Sequence, residues 1–222
     1  MQIKAAIFDM DGTLVDSLGQ WDYFWRDLGE RFLGNAAFRP SAADEKTVRT
    51  MTLDAAMDLV HEHYGIGDSG QQLLDIVNEM VDDFYRNHVE LKPGARELLE
   101  HLYAQGTKMC IASGTEMRFI RITLQRCGLE KYFGKLFSCF DIGKGKDQPD
   151  VYLMAQKYLG EKSEDIWVFE DSLTAVETVK KLGMKIAAIY DRYNFGQEEM
   201  RRIADRYVDE GESLAKLTEE QV

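Results

Sequence analysis

Short apolar runs alternating with stretches of helical period organise most of this chain. Runs of strand length occur at 5–9 (AAIFD), 108–113 (KMCIAS), 136–140 (LFSCF), 166–171 (IWVFED) and 185–190 (KIAAIY). They are brief and nearly unalternated, the pattern of strands buried on both faces of a parallel sheet. Between the later ones, apolar residues recur at helical spacing over 94–106, 116–128, 150–160 and 172–183, and several of these stretches end in glycine. Strand and helix alternate, so the spacing predicts an α/β fold with a parallel sheet flanked by helices.

One long segment breaks this rhythm. Residues 17–88 carry no strand pattern, only helical ones at 18–33, 44–64 and 70–88, separated by LGNAAFRPSAAD and YGIGDSG. LKPGA at 91–95 marks the return to alternation. The chain is therefore expected to build a core from 1–16 plus 89–222, with an all-α helical-bundle cap inserted at 17–88. Trp21 and Trp25, four apart on one helix face, are expected to pack inside that cap. His61 and His63, two apart and so on different faces, are expected at its surface. The scattered methionines read as core filler.

Composition narrows the classes of function. The chain has 222 residues and a formal net charge of −12, with acids spread along its length. Such a surface repels nucleic acid and anionic lipid, and no run approaches the roughly 18 apolar residues of a membrane span. Three cysteines, Cys110, Cys127 and Cys139, offer neither a disulfide framework nor a zinc pattern. With no secretory pattern at the N-terminus, a cytoplasmic location is expected, and nothing in the sequence demands an interface, so a monomer is expected too.

The first apolar run leads straight into FDMDGTLVDS, residues 8–17, placing Asp9 and Asp11 two positions apart where the strand ends. Asp-Gly after an apolar run is a hairpin signal. No matching strand follows, however; Leu18, Trp21, Phe24, Trp25, Leu28 and Phe32 recur at helical spacing instead. Both acids thus lie at a strand's carboxyl end, where α/β sheets bind ligands. Three further pieces sit at or just beyond such ends: SGT at 113–115, Lys146 in GKGKDQPD at 143–150, and Glu170 with Asp171. Singly, each has a plainer reading: a capped turn, a helix N-cap at Thr115, a solvated lysine, a helix cap at Ser172. Four of them in order, all at strand ends, point to a site.

In this order and context the pieces resemble the haloacid dehalogenase (HAD) superfamily, closest to its phosphoglycolate phosphatase and β-phosphoglucomutase-like branch with a helical cap after the first motif. The resemblance implies a Rossmann-like core and Mg2+-dependent phosphoryl transfer through an aspartyl-phosphate. By the same resemblance, Asp9 is the nucleophile and a metal ligand, Asp171 a second ligand, and Glu170 a ligand directly or at one remove. Asp11 ligates through its backbone carbonyl and serves as general acid and base through its side chain. Gly12 permits the tight turn, Thr13 donates to phosphate, and Ser113 with the amides beside it, Gly114 included, holds phosphoryl oxygens. Lys146 supplies fixed positive charge; it is preferred to Lys144 because it stands three before Pro149, as in the family. Carboxylates gathered at strand ends suit Mg2+, a hard ion that takes oxygen ligands. Two positions depart from the family pattern, Gly114 where Asn is common and Ala175 where Gly is usual, and neither removes an essential charge.

The acid at Asp11 separates the chain from haloacid dehalogenases proper, which lack one there. It also separates it from phosphonate-cleaving relatives, which place a small residue there and use a cap lysine; the cap's lysine here, Lys46, lies in a polar segment. Phosphatase activity on a small phosphorylated metabolite is the expected function. A β-phosphoglucomutase-like mutase is the alternative. It would need a basic residue in the cap loop 47–56, where Leu53 falls at that position and Arg49 stands off register; Met51 and Leu53 suggest a leaving group with some apolar character. A non-catalytic binding module on the same fold comes third, disfavoured because Asp9, Asp11 and Asp171 are all present.

Overall fold

The computed structural model describes residues 3–48 and 51–219, and among them it has eight strands, five of which fall on the apolar runs. In chain order they are β1 (Ala5–Phe8), β2 (Val15–Asp16), β3 (Glu90–Leu91), β4 (Lys108–Ser113), β5 (Lys135–Ser138), β6 (Ile166–Glu170), β7 (Lys185–Ile189) and β8 (Arg206–Val208). Six of them form one sheet in the order β5-β4-β1-β6-β7-β8, with every pairing parallel. β2 and β3, the residues just before and just after the long helical segment, pair antiparallel.

Chain contacts divide the molecule into two compact units, Met1–Leu18 with Val89–Val222, and Gly19–His88. The second unit is helical among its described residues: α1 (Gln20–Leu33), α2 (Ala42–Val48), α3 (Leu53–Tyr64) and α4 (Gly70–Asp83), the last running on into a π-turn at Phe84–His88. Its own core gathers Phe24, Trp25, Leu28, Met57, Val60, Leu73 and Val77. Trp25 is fully buried there and Trp21 lies against it with ring centroids 5.2 Å apart. His63 is exposed and pairs with Asp44 at 3.3 Å, whereas His61 is half-buried, its Nδ1 2.9 Å from the Ile66 carbonyl. The single helix expected over 44–64 is two helices, because Thr52 before α3 is extended at ψ 152° and breaks the run. Leu53 packs against this unit's core, and Arg49 lies outside the described residues.

The other unit wraps helices around the sheet: α5 (Ala95–Ala104), α6 (Met117–Arg126), α7 (Cys139–Ile142), α8 (Asp150–Leu159), α9 (Leu173–Lys181), α10 (Gln197–Ile203) and α11 (Lys216–Glu219). Alternate strand residues Ala5, Ile7, Cys110, Ala112, Val168 and Ile186 pack with Tyr152, Ala155, Val176 and Val179 from α8 and α9. The intervening Ala6, Phe8, Met109, Ile111 and Phe169 are just as buried, so both faces of the sheet are covered. That double coverage explains the unalternated runs. The run at 136–140 stops as a strand at Ser138, whose hydroxyl accepts the Asp141 N–H and opens α7.

Candidate active site

Strand register assembles the acids. Phe8 on β1 lies opposite Ile111 on β4 and Phe169 on β6, and the Phe8 and Phe169 rings stack 4.2 Å apart. One residue further along each strand come Asp9 and Glu170, with the Asp9 N–H bonded to the Phe169 carbonyl at 3.0 Å. Asp171 follows directly. Each of the three carboxylates offers an oxygen within 4.8 Å of the other two, and all are buried.

Lys146 sits among them, 14% exposed, with its ammonium 2.6 Å from Asp9 Oδ1 and in contact with Glu170 Oε1. Lys144 pairs instead with Asp150 at 2.5 Å, outside the cluster. Glu170 is fully engaged: Oε2 accepts the N–H groups of Asp171 and Ser172 at 2.9 and 3.0 Å, and the Tyr152 hydroxyl approaches Oε1 at 3.4 Å. Asp171 takes the Thr13 hydroxyl on Oδ1 at 2.8 Å and the Asn194 amide on Oδ2 at 2.5 Å. Thr13, which the resemblance assigns to phosphate, is fully buried, and its hydroxyl donates to Asp171. Gly12 lies between these acids with φ +77°, and a Cβ there would overlap the Asp171 carboxylate. Only glycine combines that backbone conformation with that closeness.

Asp11 projects from the same turn, half-buried, with Ser17 donating to Oδ1 and Thr115 to Oδ2, both at 2.6 Å. The helix after β4 is capped one residue on from Thr115, by Glu116, without a side-chain bond. Ser113, fully buried at the end of β4, accepts the Thr115 N–H at 3.1 Å. Gly114 is exposed, and the space where its Cβ would stand is open.

The electrostatics follow from three buried carboxylates facing one ammonium. Burial pushes the Asp9 carboxyl up to about 7, and repulsion from Glu170 and Asp11 adds to this against the pull of Lys146. Burial, then Glu170 and Asp9, holds Asp171 well above the usual carboxylate range. Burial works against the Lys146 charge, yet Asp9 and Glu170 hold its pKa well above that of an ordinary lysine. The cluster is short of positive charge and rich in hard oxygen donors, the combination that a divalent cation satisfies. Four residues that touch the acids escaped sequence reasoning: Ser17, Thr115, Tyr152 and Asn194. Ser17 and Thr115 stood inside motifs already quoted, whereas Tyr152 and Asn194 carry no local signal.

Comparison with known proteins agrees with this arrangement. The family model of haloacid dehalogenase-like hydrolases matches residues 3–183. The chain belongs to the haloacid dehalogenase-like hydrolases. Within the family it is similar to the phosphorylated carbohydrates phosphatase of Thermotoga maritima, 28% identical over 98% of this chain and 99% of that one. It is also similar to (DL)-glycerol-3-phosphatase 2 of Arabidopsis thaliana, 30% identical over 85% of this chain and 80% of that one. A crystal structure from Thermotoga maritima provisionally called a β-phosphoglucomutase superposes with a TM-score of 0.79 at 27% identity, covering 94% of each chain. The HAD hydrolase described here is thus an α/β enzyme of the phosphoric monoester hydrolase class. Among its described residues no helix is long and apolar enough to cross a membrane.

Proposed function

We propose that this HAD hydrolase is a Mg2+-dependent phosphatase of small phosphorylated metabolites that works through an aspartyl-phosphate on Asp9. The gathering of Asp9, Glu170 and Asp171, with Lys146 paired to the first two and Asp11 beside them, carries the reading. Phosphoryl transfer asks a protein mainly for positioning and charge compensation, and this cluster supplies both. Asp9, Asp171 and the Asp11 carbonyl are the groups to hold the metal. Glu170, with both oxygens already engaged, is better suited to anchoring Lys146. When bound, Mg2+ supplies the positive charge that lets a carboxylate approach a phosphate dianion.

An Asp9 carboxylate oxygen attacks phosphorus while the bond from phosphorus to the substrate oxygen breaks. The departing alkoxide takes the proton held on Asp11, leaving Asp11 as a carboxylate. That carboxylate then accepts a proton from the water that attacks the phosphoryl group, and the bond from phosphorus to Asp9 breaks. Phosphate leaves, Asp9 is restored, and Asp11 is protonated again. Lys146 keeps a fixed charge beside Asp9 throughout. Ser17 and Thr115, each bonded to a different oxygen of Asp11, aim its carboxylate. In this reading phosphoryl oxygens are assigned to Ser113 and the backbone amide of Gly114, at the end of β4.

The relatives named above act on phosphorylated carbohydrates and glycerol 3-phosphate, which makes a sugar or polyol monophosphate the first substrate class to try. A phosphosugar mutase is the second reading, favoured by the likeness to the provisional β-phosphoglucomutase structure. Phosphate release from a panel of such esters, with Mg2+ and with EDTA, tests the proposal; full turnover in EDTA overturns the metal role. Hexose 1-phosphate with a trace of bisphosphate separates the two readings, because hexose 6-phosphate accumulating faster than free phosphate would favour the mutase.

A further inference from the structure

We propose that Asn194, in the loop between β7 and α10, is a positioning residue that sets the Asp171 carboxylate for divalent-cation binding. The inference rests on the phosphoryl-transfer reading above, in which Asp171 is a metal ligand. Asn194 Nδ2 donates both to Asp171 Oδ2 at 2.5 Å and to the Asp171 backbone carbonyl at 3.0 Å. Two bonds from one amide to the side chain and backbone of one residue fix that side chain's torsion. Thr13 holds the other carboxylate oxygen at 2.8 Å.

The electrostatics explain why such a clamp is needed. Asp171 lies buried beside Asp9 and Glu170, and Lys146 spends its close contacts on those two. Repulsion alone would turn Asp171 away from them and splay the donor set. A neutral amide and a hydroxyl oppose that rotation without cancelling the negative charge that attracts a cation. A lysine or arginine at 194 would orient Asp171 but neutralise it.

Asn194 is itself held in place. Its backbone N–H donates to the Asp191 carbonyl at 3.1 Å, and the Gln197 amide donates to the carbonyls of Asn194 and Asp191 at 3.1 and 2.8 Å. Asp191, buried, pairs with Lys92 Nζ at 2.7 Å, and the Lys92 N–H donates to the Leu14 carbonyl at 2.9 Å. Leu14 follows Thr13 in the chain, so the circuit from Thr13 through Asp171, Asn194, Asp191 and Lys92 closes on itself. Both donors to Asp171 hang on one framework.

Titrating substrate-free protein with Mg2+ and following its melting temperature tests this without turnover. Loss of a partner that orients a metal ligand weakens binding about 10–100-fold. Asn194→Ala should therefore raise the Mg2+ midpoint by that factor, while kcat at saturating Mg2+ falls far less than the activation midpoint rises. Phe195→Ala, at an exposed position in the same loop, should leave both at wild-type values. Gln197→Ala should shift the midpoint in the same direction by a smaller factor, and replaces Asn194→Ala if that variant does not fold. A wild-type midpoint in the Asn194→Ala protein, or in Gln197→Ala where it stands in, overturns the role of Asn194 alone. A wild-type protein that Mg2+ does not stabilise at all overturns the metal reading, and Asn194 with it.

Discussion

Replacing Asp9 by Asn should stabilise the metal-free protein at pH 8 and leave it almost unchanged at pH 4. Asp9 has a carboxyl pushed from the ordinary 3.8 to about 7, chiefly by burial. The folded state therefore binds the Asp9 proton more tightly than the unfolded chain does. Below pH 3.8 the carboxyl is protonated in both states and costs nothing extra. Between 3.8 and about 7 only the folded state keeps the proton, so stability falls as pH rises; above 7 the loss is complete. About three pH units at about 1.36 kcal/mol each give a penalty on the order of 4 kcal/mol. Asn keeps the shape and removes the charge, so the variant escapes that penalty. In a protein of this size, about 4 kcal/mol corresponds to roughly 8–16 °C in melting temperature. Melting wild type and Asp9→Asn side by side in EDTA, across this range of pH, reads the difference directly and cancels acid effects common to both. A gap between them that does not grow with pH would refute the argument that burial strains this carboxylate. Saturating Mg2+ should narrow the gap at pH 8, because it stabilises wild type more.

The neighbouring residues give further expectations. Asp11→Asn should cut turnover by about 10²–10⁴-fold and, with a good aryl leaving group, let phosphoenzyme form and then stall; a rapid-quench time course shows the burst. Lys146→Met leaves Asp9 and Glu170 buried without their ammonium and should cost about 3–5 kcal/mol in the metal-free protein, measured by urea unfolding, as well as activity. Gly12→Ala forces a side chain into positive φ, at about 1–2 kcal/mol, and against Asp171, so its Mg2+ requirement should rise together with a drop in melting temperature.

Much of the core was legible because it follows from local pattern. The runs at 5–9, 108–113, 166–171 and 185–190 are strands buried on both faces, and such strands show as unbroken apolar runs. β8 escaped notice because Arg206, Tyr207 and Val208 form an edge strand of three residues, too short to carry a pattern. The break between α2 and α3 was hidden because apolar spacing continues across it while the backbone at Thr52 does not. At the site, the acids announce themselves by standing where strands end, and Lys146 by its distance from Pro149. What sequence spacing could not reveal is which donors close on them. Taken alone, SGT suggests a helix cap at Thr115, and nothing local shows that its hydroxyl donates to Asp11, 104 residues away. Asn194 reaches Asp171 from a loop 23 residues on. Such contacts are properties of the folded sheet.

The central claim is that Asp9 carries phosphate covalently during turnover. Acid-quenching the enzyme with a substrate it hydrolyses, in Mg2+, and mapping the modified peptide by mass spectrometry tests it most directly. Phosphate on Asp9, absent from Asp9→Asn and accumulating in Asp11→Asn, is the predicted result. Steady turnover with unmodified Asp9 at every quench time, in wild type and in Asp11→Asn alike, would contradict it.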